Sequence, residues 1–180
     1  MLRHRARGAV VAFAAVSALV VVAPAMPAGA TGSHHVEVVR SSGELADLSP
    51  STVDPTDGAS AAALVVSHQD RGSVVVFRVS GLDRSVAGTR YGAHVHVGPC
   101  VPGDGAAAGP HYNATGGTVV DPSTEVWLDF TVRSSGSALA VALVPFVVPA
   151  GGARSIVIHA MPTMPNGSAG ARLACLPLEL

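Results

Sequence analysis

The clearest pattern along the chain is a series of short apolar runs of strand length, separated by Gly, Pro, Asp and Asn. Residues 62–66 and 74–79 are rich in β-branched side chains, and Asp70-Arg71-Gly72 between them predicts a hairpin turn. Residues 91–97 form a third such run. Residues 125–132 alternate: Val126, Leu128, Phe130 and Val132 fall on one face of a strand, and Glu125, Trp127, Asp129 and Thr131 on the other. A turn at Ser134-Ser135-Gly136 leads into 139–148, and 155–159 and 171–178 complete the set. No segment carries a helical period of useful length. Some seven or eight short strands at this spacing predict an all-β sandwich or barrel. Two stretches differ. Residues 31–59 are polar and turn-rich, with Ser49-Pro50-Ser51, Asp54-Pro55 and Asp57-Gly58. Residues 98–123 are dominated by Gly, Pro, Ala, Asn and Asp and read as a long ordered loop, a kind that is usually functional.

The N-terminus has its own pattern. Arg3, Arg5 and Arg7 precede fifteen uncharged residues, Ala9 to Ala23, in which Ser17 alone is polar. Pro24 breaks the run and Ala28-Gly29-Ala30 supplies an A-x-A cleavage site, the pattern of a secretory signal peptide. Fifteen residues fall short of the ~20 a spanning helix needs. The expected organisation is therefore a removed leader at 1–30, a polar segment at 31–59 and one domain at 60–180. The expected location is secreted or cell envelope, with no membrane attachment after cleavage.

Composition narrows the function. The 180 residues are 48% hydrophobic and 13% charged, enough to bury a core and to exclude wholesale disorder. Only 4% are aromatic, so that core must be built from Val, Ala and Leu. Eleven Arg, no Lys and twelve acids give a net charge of −1, which excludes a basic nucleic-acid binder. Without the three leader arginines the balance is −4. Two cysteines, Cys100 and Cys175, read as a disulfide in an exported chain, with two buried free thiols as the alternative.

Histidine placement carries the chemistry. His94 and His96 lie two apart in a β segment, so both imidazoles point to one face while Ala93, Val95 and Val97 point to the other. His111 lies in the glycine-rich loop, and His159 ends an apolar strand. Three or four imidazoles in a β-rich exported protein suit copper or zinc.

Gly92-Ala93-His94-Val95-His96, Cys100, Gly109-Pro110-His111-Tyr112-Asn113, Val157-Ile158-His159 and the run Gly167 to Cys175, in that order, closely resemble the copper/zinc superoxide dismutases. Gly81-Leu82 also fits the turn that precedes the G-x-H-x-H strand in that family. The resemblance covers roughly residues 60–180. It implies a Greek-key β-barrel or flattened sandwich of about eight strands with a long metal-site loop. It implies copper on His94, His96, His111 and His159, with His111 as the imidazole shared with zinc. It further implies Arg172 as the cation beside the copper, a catalytic role for Arg172 and His111, and a Cys100–Cys175 disulfide.

The departures refine this. The family's zinc site needs two more histidines after the shared one, and none lies between His111 and His159. The stretch from His159 to Arg172 is short, and residues 161–170 carry no charge. Both features are typical of the copper-only branch, which implies a copper cofactor with zinc absent. The ring nitrogen of His111 that zinc would take then needs another acceptor, and Glu125 and Asp129 are the candidates. The expected activity is dismutation of superoxide to dioxygen and hydrogen peroxide, with superoxide as the partner. A copper-binding or copper-storing envelope protein of the same fold is the other reading.

Overall fold

A computed structural model of the chain describes residues 35–149 and 151–179. The leader read at 1–30 lies outside the described residues. Among the described residues no helix is long and apolar enough to cross a membrane.

The apolar runs form strands β1 (Val36–Glu44), β2 (Ala46–Asp47), β3 (Ser60–His68), β4 (Gly72–Ser80), β5 (Arg90–Tyr91), β6 (Ala93–His96), β7 (Phe130–Thr131), β8 (Ser137–Val144), β9 (Ser155–His159) and β10 (Arg172–Pro177). One four-stranded sheet has the order β1-β3-β4-β8, a second β2-β10-β9-β6, and β5 pairs with β7. Pairing is antiparallel throughout. The chain passes from β4 to β6 in the other sheet, returns for β8 and crosses again to β9, the Greek-key connection of a β-sandwich.

The core lies between the two four-stranded sheets. Val65, Val75, Phe77 and Val79 from the first sheet meet Ala93, Val95, Ile156, Ile158 and Leu176 from the second. With few rings available, the packing is arranged around Phe77, which is fully buried. Its neighbours across both ladders are Ala63 and Ala140, whose small side chains leave room for the ring. Strand β8 follows this logic throughout: Ala138, Ala140 and Ala142 face inwards, while Leu139, Val141 and Leu143 face solvent.

The second sheet is covered on both sides, and that is what positions the site. Ile156 and Ile158 enter the main core, while Val157 packs on the opposite side with Leu48, Ala108 and Cys175. The cover is the segment from 98 to 110. It is joined to β10 by the Cys100–Cys175 disulfide, and Gly103 N–H donates to Asp47 O at 2.9 Å. A 3₁₀ turn over Gly105–Ala108 is capped by the Asp104 carboxylate, which accepts from Ala106 N–H and Ala107 N–H. Gly98 permits this close seating, because a Cβ there would lie 2.1 Å from Ala107 O. A strand buried on both faces needs an unbroken apolar run, and Ile156-Val157-Ile158 supplies it.

Two elements differ from the sequence reading. Strand β1 lies in the stretch read as turn-rich. Most of its residues are exposed, so it shows no apolar alternation, and its ladder to β3 is a backbone matter. Residues 126–132 alternate in burial as expected, while Glu125, placed on the polar face, is buried, and only Phe130–Thr131 form ladder strand. The preceding residues follow β6 irregularly, with Leu128 N–H on Ala93 O and Val95 N–H on Val126 O.

Candidate metal centre

The covered outer side of β6 and β9 carries four histidines. His94 and His96 leave β6 on the side opposite Ala93 and Val95. His159 ends β9, and its N–H donates to Gly92 O at 2.8 Å, which brings it alongside His94. His111 comes from the loop: Tyr112 N–H donates to Val95 O and Val97 N–H to Pro110 O, so the loop backbone runs against β6 at His96. Ring centroids lie 4.1 Å apart for His94 and His111, 4.7 Å for His96 and His111, and 4.9 Å for His94 and His159. One ring nitrogen from each lies within 4.8 Å of the others, an arrangement that can hold a metal ion.

The outer nitrogens are all engaged. His96 Nδ1–H donates to Gly109 O at 3.0 Å and His159 Nδ1–H to Gly170 O at 3.3 Å. His111 Nδ1–H donates to Glu125 Oε2 at 2.8 Å, and the same oxygen accepts Trp127 Nε1–H at 3.0 Å. The indole is a donor only, so that oxygen acts as an acceptor for both rings. His94 is held through Nε2, 2.7 Å from Thr163 Oγ1. Its Nδ1 is buried and has no hydrogen-bond partner. With their protons on Nδ1, His96 and His159 turn lone pairs toward each other, Nε2 to Nε2 at 3.3 Å. A cation satisfies such a set, since each inward nitrogen is an acceptor that lacks a donor.

Burial keeps three of the four rings neutral. His94, His96 and His159 are fully or almost fully buried, and His111 is half-buried. Desolvation, aided by neighbouring imidazoles, pulls His94 from the ordinary 6.5 down to about 2. It also pulls His96 to about 3 and His159 to about 4, against the raising effect of the Gly109 and Gly170 carbonyls. In the metal-free protein these rings stay neutral while the unfolded chain takes up protons first, near pH 6.5. The stability these rings contribute is therefore present above pH 6.5 and is lost as pH falls below it, toward about 4 for His159, 3 for His96 and 2 for His94. The expected slope is about 1.4 kcal/mol per pH unit for each of the three rings. Denaturant midpoints of the metal-free protein at pH 7, 6 and 5 test this; equal midpoints would contradict it.

The remaining sequence candidates fall as follows. Glu125 is buried against His111. Asp129 lies on the other flank, where it accepts Thr163 N–H at 2.9 Å and the Thr163 hydroxyl, and pairs with Arg90 at 3.3 Å. Arg172 stands opposite His159 in the β9–β10 ladder. Its guanidinium donates to Gly105 O at 2.5 Å and Gly109 O at 2.6 Å, so one carbonyl serves both Arg172 and His96. Cys100 and Cys175 form the disulfide. Sequence reasoning missed Thr163 and Trp127. The alternation that placed Glu125 puts Trp127 on the same side and was the available signal. Thr163 sits in an uncharged loop and had none.

Residues 59–176 match the family described as Copper/zinc superoxide dismutase. No curated protein sequence matches the chain. Among solved structures, the crystal structure of the clock protein EA4 is similar, with a TM-score of 0.54 at 17% identity. The match covers 79% of this chain and 92% of that one. At that identity the likeness concerns the fold. The family match spans both histidine strands, the loop that carries His111 and the disulfide, and on it the chain belongs to the copper/zinc superoxide dismutase family.

Proposed function

We propose that this chain dismutates superoxide to dioxygen and hydrogen peroxide at one copper ion held by His94, His96, His111 and His159. The observation that carries the proposal is the convergence of four imidazole nitrogens, His94 Nδ1 among them without a partner. An all-imidazole donor set suits copper. Copper bound there would supply the one-electron couple that the two half-reactions need.

The chain's own residues supply the rest. His111 is the most exposed of the four rings, and its Nδ1–H is fixed on Glu125. Its Nε2 can therefore hold and release a proton while the carboxylate behind it offsets the charge. Each turnover consumes two protons for two superoxide ions, so a ring that carries a proton at the solvent side of the site is useful. Arg172 contributes positive charge beside His96 and His159. Outside the leader the chain is net negative at −4, and the Debye length is about 8 Å at physiological salt, so only local charge draws the anion in. No zinc is part of the proposal, because the outer nitrogen of His111 is bonded to Glu125 and no second histidine follows before His159. The protein works in the envelope or outside the cell, with the leader removed after Ala30.

Exposure to copper and zinc together, followed by dialysis against a weak chelator, is expected to leave one copper and no zinc per chain. The loaded protein is expected to consume superoxide faster than the same copper held by a small chelator. A retained zinc would refute the single-copper reading. Bound copper without activity would leave a copper-binding envelope protein.

A further inference from the structure

We propose that Thr163 is a positioning residue which fixes the proton of His94 on Nε2 and so turns the Nδ1 lone pair into the site. The inference rests on the reading of the four histidines as a metal centre, and it concerns a residue of this chain that the family match does not assign.

Asp129 Oδ2 receives Thr163 N–H at 2.9 Å and lies 3.3 Å from Arg90 Nη2. Both partners are donors only, so the carboxylate acts as an acceptor. Asp129 Oδ1 receives the Thr163 hydroxyl hydrogen. A hydroxyl has one hydrogen, and this one is committed. Thr163 Oγ1 can therefore only accept from His94 Nε2, 2.7 Å away. With Nε2 protonated, Nδ1 carries the lone pair. That atom is buried and without a partner. In the other three rings the proton sits on Nδ1, held by Gly109 O, Glu125 and Gly170 O. His94 is the one ring of the four that must be protonated the opposite way, and Asp129 and Thr163 together impose it.

Local structure makes the contact close. Gly92 N–H donates to Met161 O at 2.8 Å, which lays the loop after β9 on the strand that leads to His94. A Cβ at position 92 would lie 2.8 Å from Met161 O and 2.9 Å from Thr163 Oγ1. Glycine is required there for Thr163 to reach the imidazole. Of the two carboxylates weighed from sequence as partners of His111, Asp129 thus acts on a different ring, at one remove.

The test begins with the metal-free protein labelled with ¹⁵N at neutral pH. Long-range ¹H–¹⁵N correlation of the imidazoles is expected to show the Nε2–H tautomer for His94. Thr163→Val removes the acceptor and is expected to shift His94 toward the Nδ1–H tautomer. Cu(II) affinity, measured by chelator competition, should fall about 10- to 100-fold, the usual effect of removing a partner of a ligating imidazole. Thr163→Ser is expected to restore both. An Nδ1–H tautomer in the wild-type protein, or a Thr163→Val variant with unchanged tautomer and copper affinity within twofold, would overturn the proposal. The tautomer needs no metal to be read. A chain that failed to bind copper would defeat the copper reading alone, and a wrong tautomer would defeat this inference alone.

Discussion

Replacing Cys100 with serine is expected to lower the stability of the domain by about 4 kcal/mol, the chain-entropy value for a loop of this size. The disulfide joins positions 75 residues apart. Without it the unfolded chain regains the freedom of that whole span. Folded domains are stable by only about 5–15 kcal/mol, so the change is a large part of the total. The effect should also reach the metal centre. The segment that carries Cys100 also carries Gly105 and Gly109, whose carbonyls hold Arg172 and His96. Denaturant unfolding of oxidised wild type, reduced wild type and Cys100→Ser measures the loss, and reduced wild type should match the variant. A midpoint shift corresponding to less than about 1 kcal/mol would show that the segment is held by its other contacts, the Asp104-capped turn and Arg172.

The second large effect is expected from Glu125→Ala. One carboxylate oxygen serves two half-buried donors, His111 Nδ1–H and Trp127 Nε1–H. Its removal leaves both without an acceptor, at about 1–3 kcal/mol each where water cannot replace it. The loss on the metal side should be larger in proportion. His111 would be free to rotate and to exchange its proton between nitrogens, and loss of such an acceptor typically weakens metal binding 10- to 100-fold. Copper competition titration and urea unfolding of the same preparation separate the two effects. Copper affinity within twofold of wild type would mean that the loop backbone alone orients His111. Glu125→Gln should fall between, because an amide oxygen in the place of Oε2 can accept from both rings but carries no negative charge.

How far the sequence reveals this protein depends on which force sets each feature. Strand β9 was legible to the residue because burial on both faces demands a continuous apolar run and His159 closes it. The β3–β4 hairpin was legible because glycine at position 72 adopts the positive φ the turn needs. Strand β1 was not, because an edge strand with mostly exposed residues is held by backbone pairing and leaves no mark in side-chain polarity. Among the site residues, His94 and His96 announce a shared face through period-two spacing alone. His111 and His159 joined them through family resemblance, since loop and crossover geometry bring them close and no local pattern encodes that. The acceptors that orient three of the rings (two backbone carbonyls and a threonine hydroxyl) could not be read at all. A carbonyl belongs to every residue, and only the path of the chain aims it.

Trp127 gives the protein a built-in optical reporter. It is the chain's sole tryptophan, its ring lies edge-on 6.1 Å from His94, and its N–H is tied to Glu125. All indole emission therefore comes from beside the four histidines. A paramagnetic Cu(II) ion held by the histidines would quench that light at close range, whereas a closed-shell ion such as Cu(I) or Zn(II) would leave it bright. Intensity would then follow the oxidation state of the site through a reaction cycle without any added probe. The colour of the emission would report separately on the Glu125 contact, because the indole excited state is sensitive to the charge at its nitrogen.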